Sequence, residues 1–237
     1  MRFGIAVFPG TWSDRDCAHA VGLDGHQAVM LWHKDRELHG VDCVILPGGF
    51  SYGDYLRCGA VARFAPLMES VADFARRGGL VWGICNGFQI LCEAHLLPGA
   101  LLRNASLQFR CGPAWLRVET IESPFTASCR VGDVLQVPVS HGEGRFVADP
   151  ATLDQLEREE RVLFRYARPD GGPVGAASPN GSLRDIAGIV NHDGNVLGMM
   201  PHPERACEPL LGSADGMRLF RSVARSMERE GTAAGVG

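Results

Sequence analysis

The sequence predicts an α/β fold in which a mostly parallel sheet is covered by helices on both faces. The first observation is that apolar runs of five or six residues alternate with helix-length amphipathic segments through residues 1–94. Near-continuous apolar runs are typical of strands buried on both faces, as in a parallel sheet. The second observation is the alternation of apolar and polar residues after residue 107, as in WLRVE at 115–119. This alternation predicts a few half-exposed antiparallel strands beside the parallel ones.

Chain-breaking residues set the element boundaries in the first half of the chain. The strand over residues 3–8 ends at a Pro-Gly pair, and the strand over 41–46 ends at a Pro-Gly-Gly run. Ser13 precedes a helical apolar pattern and is a residue type favoured at a helix N-cap. The elements predicted for this half are, in order, strand 3–8, helix 14–23, strand 28–32, strand 41–46, helix 60–77, strand 80–84 and helix 86–94.

The second half is predicted to contain the antiparallel strands, between residues 107 and 139, and two further helices. Its other elements are, in order, helix 151–159, strand 162–167, strand 186–191, strand 196–200 and helix 217–227. The sequence has no internal repeat and no linker long enough to separate two domains. We therefore expect one domain over residues 1–230, followed by a frayed tail of small residues over 231–237.

Composition and charge exclude several classes of function. With 23 basic and 27 acidic residues the net charge is -4, whereas a nucleic-acid binder carries a basic patch or a strongly basic domain. The N-terminus has no basic region or small-residue cleavage site, and no apolar stretch approaches the ~20 residues that span a bilayer. Eight cysteines without a C-x-x-C pair argue against a zinc ribbon, a redox motif and a disulfide framework. These features predict a cytoplasmic protein with no metal site, no nucleic-acid partner and no membrane partner.

The strongest local signal lies at residues 83–87, which read GICNG. A strand ends, Cys85 follows and a helix begins, which is the layout of the G-x-S-x-G nucleophile elbow with Cys in place of Ser. Glycines flank the nucleophile because a tight strand-to-helix turn crowds its neighbours. The helix N-terminus offers N–H groups and a positive dipole end, which favour a thiolate over a thiol. A buried structural cysteine is the alternative interpretation, and it fits Cys43 and Cys92 better than Cys85.

A base and an acid that match this nucleophile occur at residues 201–204, which read PHPE. Proline favours extended geometry in the residue before it, so His202 is expected to be extended. Glu204 then faces the same side of the chain if the segment continues as a strand. A carboxylate beside an imidazole fixes its tautomer and stabilises the imidazolium, as in a catalytic triad. A proline-rich turn with incidental charges is the alternative for this segment alone, but with Cys85 it completes a nucleophile, a base and an orienting acid.

A glycine-rich loop follows the strand at 41–46, where residues 47–54 read PGGFSYGD. It is not predicted to bind phosphate, because the G-x-G-x-x-G spacing is absent and Asp54 stands where a Walker motif has lysine. Gly48 and Gly49 instead let the backbone approach a substrate and direct an N–H group at a developing oxyanion. An ordinary glycine-rich turn is the alternative for this loop taken alone.

His141 is a second candidate imidazole, in the segment SHGEGRF at 140–146. No carboxylate stands at the offset that would orient its ring as Glu204 orients His202. We therefore assign His141 to a loop that faces either the substrate or a partner.

Two other classes of protein are weighed against a cysteine enzyme. A zinc deaminase is suggested by the H-x-E pattern at 202–204, but its signature needs a downstream P-C-x-x-C, which the sequence lacks. A regulatory module that keeps the fold without turnover is a non-enzymatic alternative. The intact set of Cys85, His202 and Glu204 argues against that module, which has no chemical need for all three.

Taken together, the motifs resemble the class I glutamine amidotransferases, through GICNGFQ at 83–89 and PHPE at 201–204. Within that class the chain is similar to the family of glutaminase subunits of phosphoribosylformylglycinamidine synthase, an early enzyme of purine synthesis. One departure is TWS at 11–13, where the family usually has smaller residues and a cysteine. The narrower resemblance covers nearly the whole chain to about residue 227 and includes PGGFSYGDYLR at 47–57, NASLQF at 104–109, SHGEGRF at 140–146, GIVN at 188–191 and GMMPHPER at 198–205.

This resemblance implies a flavodoxin-like α/β domain with a few added antiparallel strands. It assigns Cys85 as the nucleophile, His202 as the acid and base, and Glu204 as the residue that orients His202. The backbone N–H groups of Gly49 and Asn86 are implied to form the oxyanion hole. The substrate-binding residues that it implies are Gln89, Gly48, Ser140 and His141.

The implied reaction begins with thiolate attack on the side-chain amide of L-glutamine, which gives a γ-glutamyl thioester and ammonia. Water then releases glutamate. In this family the ATP-dependent amidation belongs to a larger synthetase subunit, with a small third subunit in assemblies whose glutaminase is this short. ATP and Mg are expected on the synthetase, and no cofactor is expected in this chain, which has no phosphate loop. A glutaminase that feeds a different synthetase is the alternative within the enzyme class.

Overall fold

A computed structural model describes residues 1–234 of the chain. Within these residues the protein forms eleven strands and five α-helices. The strands are β1 (Arg2–Val7), β2 (Gln27–Trp32), β3 (Cys43–Leu46), β4 (Leu80–Ile84), β5 (Ala100–Leu102), β6 (Arg110–Val118), β7 (Val134–His141), β8 (Arg145–Val147), β9 (Val162–Ala167), β10 (Ile186–Val190) and β11 (Val196–Met199). The helices are α1 (Asp14–Leu23), α2 (Pro66–Arg76), α3 (Asn86–Glu93), α4 (Pro150–Arg158) and α5 (Met217–Ala234).

Nine strands of the described chain form one sheet, in the order β2-β1-β3-β4-β11-β10-β9-β6-β7, and β5 pairs with β8. The strands β2, β1, β3, β4 and β11 are parallel. The strands β10, β9, β6 and β7 run antiparallel to their neighbours. Every residue of β3 and β4 is buried, whereas β7 alternates half-buried and buried residues. The predicted α/β class, with a parallel core and added antiparallel strands, is therefore confirmed.

The connections between the parallel strands place helices on both faces of the sheet. The chain moves in one direction along the sheet from β1 to β2, and in the opposite direction from β3 to β4. Because such crossover connections are right-handed, α1 and α2 must lie on opposite faces. The strand order reverses between β1 and β3. In sheets of this kind, ligands bind beyond the carboxyl ends of the strands at such a reversal.

Buried aromatic side chains hold β4 and α3 in place at the carboxyl ends of the parallel strands. Trp82 of β4 lies with its ring centroid 4.9 Å from that of Phe220 in α5 and 6.2 Å from that of Phe125. Phe88 of α3 stacks on Phe146 of β8 with the centroids 5.8 Å apart. All five side chains are fully buried, so β4 and α3 are held by large apolar contacts on either side of the turn between them.

One predicted helix is interrupted in the structure. The pattern predicts a single helix over 60–77, whereas Ala62–Phe64 form a 3₁₀ turn and α2 begins only at Pro66. Ala65 is extended, with φ -65° and ψ 141°, because a residue that precedes proline is disfavoured in the helical region. Phe64 consequently leaves the apolar stripe and is 71% exposed.

The last helix extends beyond its predicted end. The pattern predicts an end at Met227, whereas α5 continues to Ala234, because residues 228–234 contain no proline and several good helix formers. The helix therefore includes residues 231–234 of the predicted tail, and 235–237 lie outside the described residues. In the part of the chain that the structure describes, no helix combines the length and the apolar character needed to cross a membrane.

Candidate active site

Loops at the carboxyl ends of β1, β3, β4 and β11 form one site, because these four strands are neighbours in the sheet. Trp12 and Ser13, after β1, both donate their backbone N–H to the carbonyl oxygen of Gly48, after β3, at 3.0 Å. Ser13 occupies the predicted N-cap position of α1, but its hydroxyl makes no capping hydrogen bond. That hydroxyl instead accepts from Nη2 of Arg205, after β11, at 2.7 Å. Hydrogen bonds between loops thus fix the walls of the site.

Cys85 occupies the bend between β4 and α3. Its backbone has φ 52° and ψ -104°, which a residue other than glycine rarely adopts. The bend is tight because α3 lies directly on β3, so that a Cβ on Gly87 would overlap the carbonyl oxygen of Leu46. The N–H of Cys85 donates to the carbonyl of Met199 at 2.8 Å, which ties the cysteine to β11. Backbone strain of order 1–3 kcal/mol persists only where the surroundings impose it, and it is concentrated at functional sites.

His202 and Glu204 meet as predicted, but not on a strand. Residues Pro203–Arg205 form a 3₁₀ turn, because the fixed φ of Pro203 suits the first position of a helical turn. Nδ1 of His202 lies 2.6 Å from Oε1 of Glu204, and both side chains are buried. With its Nδ1–H donated to the carboxylate, the ring presents Nε2, which has no hydrogen-bond partner within residues 1–234. Nε2 is therefore the atom that is available for proton transfer.

The imidazole and the cysteine flank a space that is open because residue 48 is glycine. A Cβ built on Gly48 would lie 2.6 Å from Cε1 of His202 and 3.4 Å from Cβ of Cys85. The thiol of Cys85 donates to the carbonyl of Ser140 at 3.6 Å, and Cys85 is 5% exposed. A reacting carbon that enters this space has a sulfur nucleophile and a proton-transfer group as neighbours.

The charges around His202 favour its protonated form. Burial alone would lower the pKa of His202, but the negative charges of Glu204 and Cys85 outweigh it and raise the pKa to about 10. Nε of Arg205 lies 3.8 Å from Oε1 of Glu204, at the partly exposed side of the pair. An imidazolium held by a buried carboxylate keeps a proton on Nε2 for a leaving amide nitrogen.

The peptide between Gly48 and Gly49 is oriented by the loop after β1. Its carbonyl oxygen accepts the two N–H groups of Trp12 and Ser13. In a trans peptide the N–H points opposite to the carbonyl, so the N–H of Gly49 points away from that loop. Gly49 also lines the cavity that contains Cys85. Asn86 is the first residue of α3, where a helix leaves its N–H without an intrahelical partner.

These contacts also explain how the chain tolerates TWS at 11–13, where it departs from the family pattern. The loop orients the Gly48 carbonyl through backbone N–H groups, which any residue except proline supplies. The side chain of Trp12 is 74% exposed and does not occupy the site. The departure therefore leaves the predicted oxyanion peptide in place.

A cavity of about 160 Å³ opens beside Cys85. Gln89 spans its wall, donating from Nε2 to the carbonyl of Glu143 at 2.6 Å and accepting from Nδ2 of Asn86 at 2.8 Å. The predicted residues Gly48, Asn86, His202 and Glu204 are not part of its lining. Asn86 bonds to the lining residue Gln89, and the bonded pair of His202 and Glu204 lies beside Gly48. The lining residues are Gly49, Phe50, Asp54, Cys58, Cys85, Gln89, Phe109, Ser140, His141, Gly142 and Glu143.

The end of β7 reaches this cavity from the far edge of the sheet. Four strands separate β4 from β7 in the sheet order. Even so, the N–H of His202 donates to the carbonyl of Pro138 at 2.8 Å, and the Cys85 thiol contacts the Ser140 carbonyl. The sheet must coil strongly for its edge to return to its centre, which the right-handed twist of successive strands permits. This coiling, and not sequence proximity, brings Ser140 and His141 to the nucleophile.

Asn104 holds His141 in the cavity wall. Its Oδ1 lies 3.2 Å from Nδ1 of His141 and accepts the N–H of Gly144 at 3.0 Å, and its Nδ2 donates to the carbonyl of His141 at 2.9 Å. Asn104 is completely buried and His141 is 3% exposed. Burial, with the nearby positive charge of His202, lowers the pKa of His141 to about 4. The ring of His141 is therefore neutral near pH 7.

Sequence reasoning gave no role in the site to Asp54, Cys58 or Asn104. Asp54 and Cys58 line the cavity, and Asn104 supports its wall. Asp54 and Asn104 do lie inside segments that carry the family resemblance, at 47–57 and 104–109. A single aspartate or asparagine in a loop has no spacing rule that reveals its partners, so the tertiary contacts were needed to find them.

The doubly wound sheet, the cysteine elbow at its carboxyl edge and the imidazole–carboxylate pair beside it place the protein among the class I glutamine amidotransferases. A family model described as a CobB/CobQ-like glutamine amidotransferase domain matches residues 1–224.

Comparison with individual proteins narrows the assignment. The chain is 57% identical to the phosphoribosylformylglycinamidine synthase subunit PurQ of Moorella thermoacetica, over 97% of this chain and 98% of the relative. It is 54% identical to the PurQ of Koribacter versatilis, over 97% of this chain and 100% of the relative. The solved structure of PurLQS from Thermotoga maritima matches with a TM-score of 0.85 and 42% identity, over 95% of this chain and 98% of that chain. The chain belongs to the PurQ family of glutamine amidotransferases.

Proposed function

We propose that this chain is the glutaminase subunit of a phosphoribosylformylglycinamidine synthase. It hydrolyses L-glutamine to glutamate and ammonia, and a synthetase subunit uses that ammonia to amidate formylglycinamide ribonucleotide with ATP. The observation that carries the proposal is that Cys85, which lines a cavity of about 160 Å³, lies beside the hydrogen-bonded pair of His202 and Glu204. Family membership supports the choice of substrate and complex, because the relatives bear the names of that enzyme's subunit.

The first half of the reaction forms an acyl-enzyme. The thiolate of Cys85 attacks the carbon of the side-chain amide, and the amide oxygen becomes an oxyanion that accepts the N–H groups of Gly49 and Asn86. The imidazolium of His202 gives its Nε2 proton to the amide nitrogen, which leaves as ammonia when the carbon–nitrogen bond breaks. Glu204 holds the ring through Nδ1 throughout, and the product is a γ-glutamyl thioester on Cys85.

The second half releases glutamate. Water attacks the thioester carbon while the neutral Nε2 of His202 takes the proton of the water. The same two N–H groups stabilise the second oxyanion, whose collapse breaks the carbon–sulfur bond. Cys85 leaves as a thiolate beside the regenerated imidazolium, which restores the starting charge pair without any cofactor in this chain.

The ATP-dependent step is assigned to partner subunits. The sequence has no phosphate-binding glycine loop, so the chain has no evident means of using ATP itself. The match to a chain of the PurLQS structure supports association with a synthetase subunit, on which we place ATP and Mg, and with a small third subunit. All eight cysteines lie within the described residues and are free thiols, which supports a location in the reducing cytoplasm.

The test compares Cys85→Ala with a matched control, Cys92→Ala. Cys92 is another buried cysteine, on the helix α3 that follows Cys85 but outside the lining of the cavity. Reconstituted with its synthetase and the third subunit, the Cys85 variant should lose glutamine-dependent amidation by at least about 10³-fold, while Cys92→Ala should keep it within a few-fold. Added ammonium salts should restore amidation with the Cys85 variant, because the synthetase site remains intact.

Two results would contradict the proposal. Wild-type turnover of glutamine by Cys85→Ala would remove the nucleophile from the scheme. Strong ATP hydrolysis by this chain alone would contradict the division of labour between the subunits. Thermal denaturation of each variant shows whether the substituted chain is folded.

A further inference from the structure

The cavity beside Cys85 contains polar side chains that belong neither to the predicted triad nor to the predicted oxyanion hole. Asp54, Cys58 and Glu143 line it together with Cys85. Oδ1 of Asp54 is shielded from solvent and has no hydrogen-bond partner in the described part of the chain. A carboxylate oxygen that is desolvated and unpaired is costly unless a donor or a cation occupies the space in front of it.

His141 adds a second unpaired acceptor to the same cavity. Oδ1 of Asn104 accepts the N–H of Gly144, so it is the carbonyl oxygen of the amide, and Nδ1 of His141 must donate to it. Nε2 of the neutral ring is therefore a lone-pair acceptor. His141 is 3% exposed, and its Nε2 has no partner among residues 1–234. An unpaired acceptor on a buried side chain of the cavity wall indicates a ligand that brings hydrogen-bond donors.

The acidic groups around Asp54 favour the binding of a cation. Burial, with a further contribution from the negative charge of Glu143, raises the pKa of Asp54, and the Cys58 thiol beside it acts in the opposite sense. Glu143 has a partner in Arg103, 3.6 Å away and largely exposed, whereas Asp54 forms no ion pair within the described residues. In its ionised form Asp54 is a charge without an ion-pair partner among the described residues, and a bound cation would offset its desolvation.

The loop that carries Asp54 is held in place from outside the cavity. Tyr52 bonds through its hydroxyl to Nδ1 of the buried His33 at 2.6 Å, and its N–H donates to the carbonyl of Pro9 at 2.6 Å. Asp54 itself has φ 55°, a left-handed conformation that the loop imposes. The carboxylate is therefore positioned before any substrate arrives.

We propose that Asp54 binds the α-ammonium group of the amino-acid substrate and thereby selects glutamine over amides that lack this group. The inference rests on the proposed function, because it assumes that the substrate places its carboxamide at Cys85. Asp54 is then a specificity-determining residue, which touches the substrate at the end opposite the reacting bond. The acceptors of Glu143 and His141 extend the same polar wall.

The experiment uses the full chain reconstituted with its synthetase and compares two amides. L-Glutamine carries the α-ammonium group, and 4-carbamoylbutanoate has the same carboxamide without it. Asp54→Asn removes the charge and keeps a residue type that tolerates positive φ. The control is Cys92→Ala, which replaces a buried cysteine outside the cavity lining and leaves the Asp54 carboxylate in place.

For Asp54→Asn, kcat/KM with L-glutamine should fall about 10- to 100-fold, as expected for a hydrogen bond between charged groups. With 4-carbamoylbutanoate the kcat/KM of Asp54→Asn should change less than about twofold, and Cys92→Ala should keep the wild-type preference. Equal losses on both amides would show that Asp54 supports the fold or the chemistry and does not recognise the ammonium group. An unchanged preference for L-glutamine in Asp54→Asn would also overturn the inference.

A binding assay on the wild-type chain keeps the proposal testable without the variant and without turnover. L-Glutamate and glutarate differ only by the α-ammonium group. L-Glutamate should protect Cys85 from alkylation by iodoacetamide at concentrations at least about tenfold lower than glutarate does. Equal protection by the two acids would contradict the proposed binding of the ammonium group by Asp54. Absence of glutamine hydrolysis by the reconstituted wild type, with unequal protection, would instead overturn the proposed function.

Discussion

Acidification should destabilise the folded chain through His141. The ring is neutral in the folded protein because burial and the positive charge of His202 lower its pKa to about 4, from an ordinary value of 6.5. Between those two values the unfolded chain binds a proton at this residue and the folded chain does not. Stability from His141 is therefore fully present above pH 6.5 and is lost progressively as the pH falls towards 4.

The size of the effect follows from the difference between the two pKa values. One pKa unit corresponds to about 1.4 kcal/mol, so the contribution of His141 that is lost by pH 4 is about 3 kcal/mol. That is a large part of the 5–15 kcal/mol by which a typical domain is stable, as an order of magnitude.

The measurement is urea denaturation of the wild type and of His141→Gln, followed by the fluorescence of the four tryptophans, from pH 7 to pH 4. Glutamine is neutral throughout, and its amide can still bond to Asn104. The carboxylates are common to both proteins, so the difference between the two pH profiles isolates His141. The wild type should lose about 3 kcal/mol more than the variant over this range.

His202 provides an internal check because its pKa is displaced in the opposite direction. Its pKa is raised to about 10, so the stability that it contributes is present below pH 6.5 and is lost as the pH rises towards 10. Below pH 6.5 His202 is protonated in both states and adds no slope to the acid limb. Parallel acid limbs for the wild type and His141→Gln would refute the reasoning, since they would mean that the buried ring is protonated as easily as a free one.

Two further predictions concern the geometry around the triad. Gly48→Ala should lower kcat for glutamine hydrolysis by about 10²-fold or more, since its Cβ would lie 2.6 Å from Cε1 of His202, which Glu204 holds in place. Gly22→Ala is the control, because a Cβ there meets no atom within 4 Å in the described chain. It should raise the free energy of unfolding by about 0.5–1 kcal/mol in urea titrations and leave kcat unchanged; equal kcat losses in the two variants would contradict the packing argument. Glu204→Gln should lower kcat about 10²- to 10⁴-fold by removing the charge that favours the imidazolium, and a kcat within threefold of wild type would exclude that role.

Much of the fold could be read from the chain because local signals and tertiary structure agree there. Apolar runs predicted the parallel strands, and α1 has the predicted bounds, Asp14–Leu23. The prediction of a single helix over 60–77 was wrong. It followed the apolar periodicity and neglected the restriction that Pro66 places on the backbone of Ala65. The predicted end of α5 was wrong because a run of residues without proline lets a helix continue past the last residue of its apolar pattern.

The nucleophile of the candidate site could be found from sequence because its constraints are local. A strand, a crowded turn and a helix must follow one another within a few residues, so the glycines around Cys85 are visible in a short window. His202 and Glu204 could be paired for the same reason, although the expected strand is a 3₁₀ turn in the structure. The roles of these residues in catalysis remain predictions that the experiments above address.

The sequence by itself determined the class of the fold, and it predicted the candidate nucleophile and the acid–imidazole pair, because each depends on residues that are close along the chain. Only the tertiary structure decided how these pieces meet. The order of the strands makes β4 and β11 neighbours, and the coiling of the sheet returns Ser140 and His141 to Cys85 across four intervening strands. It also leaves Oδ1 of Asp54 shielded from solvent, with no hydrogen-bond partner among residues 1–234. Such contacts depend on the path of the whole backbone, since side chains distant in sequence become neighbours only when strand order and twist are fixed.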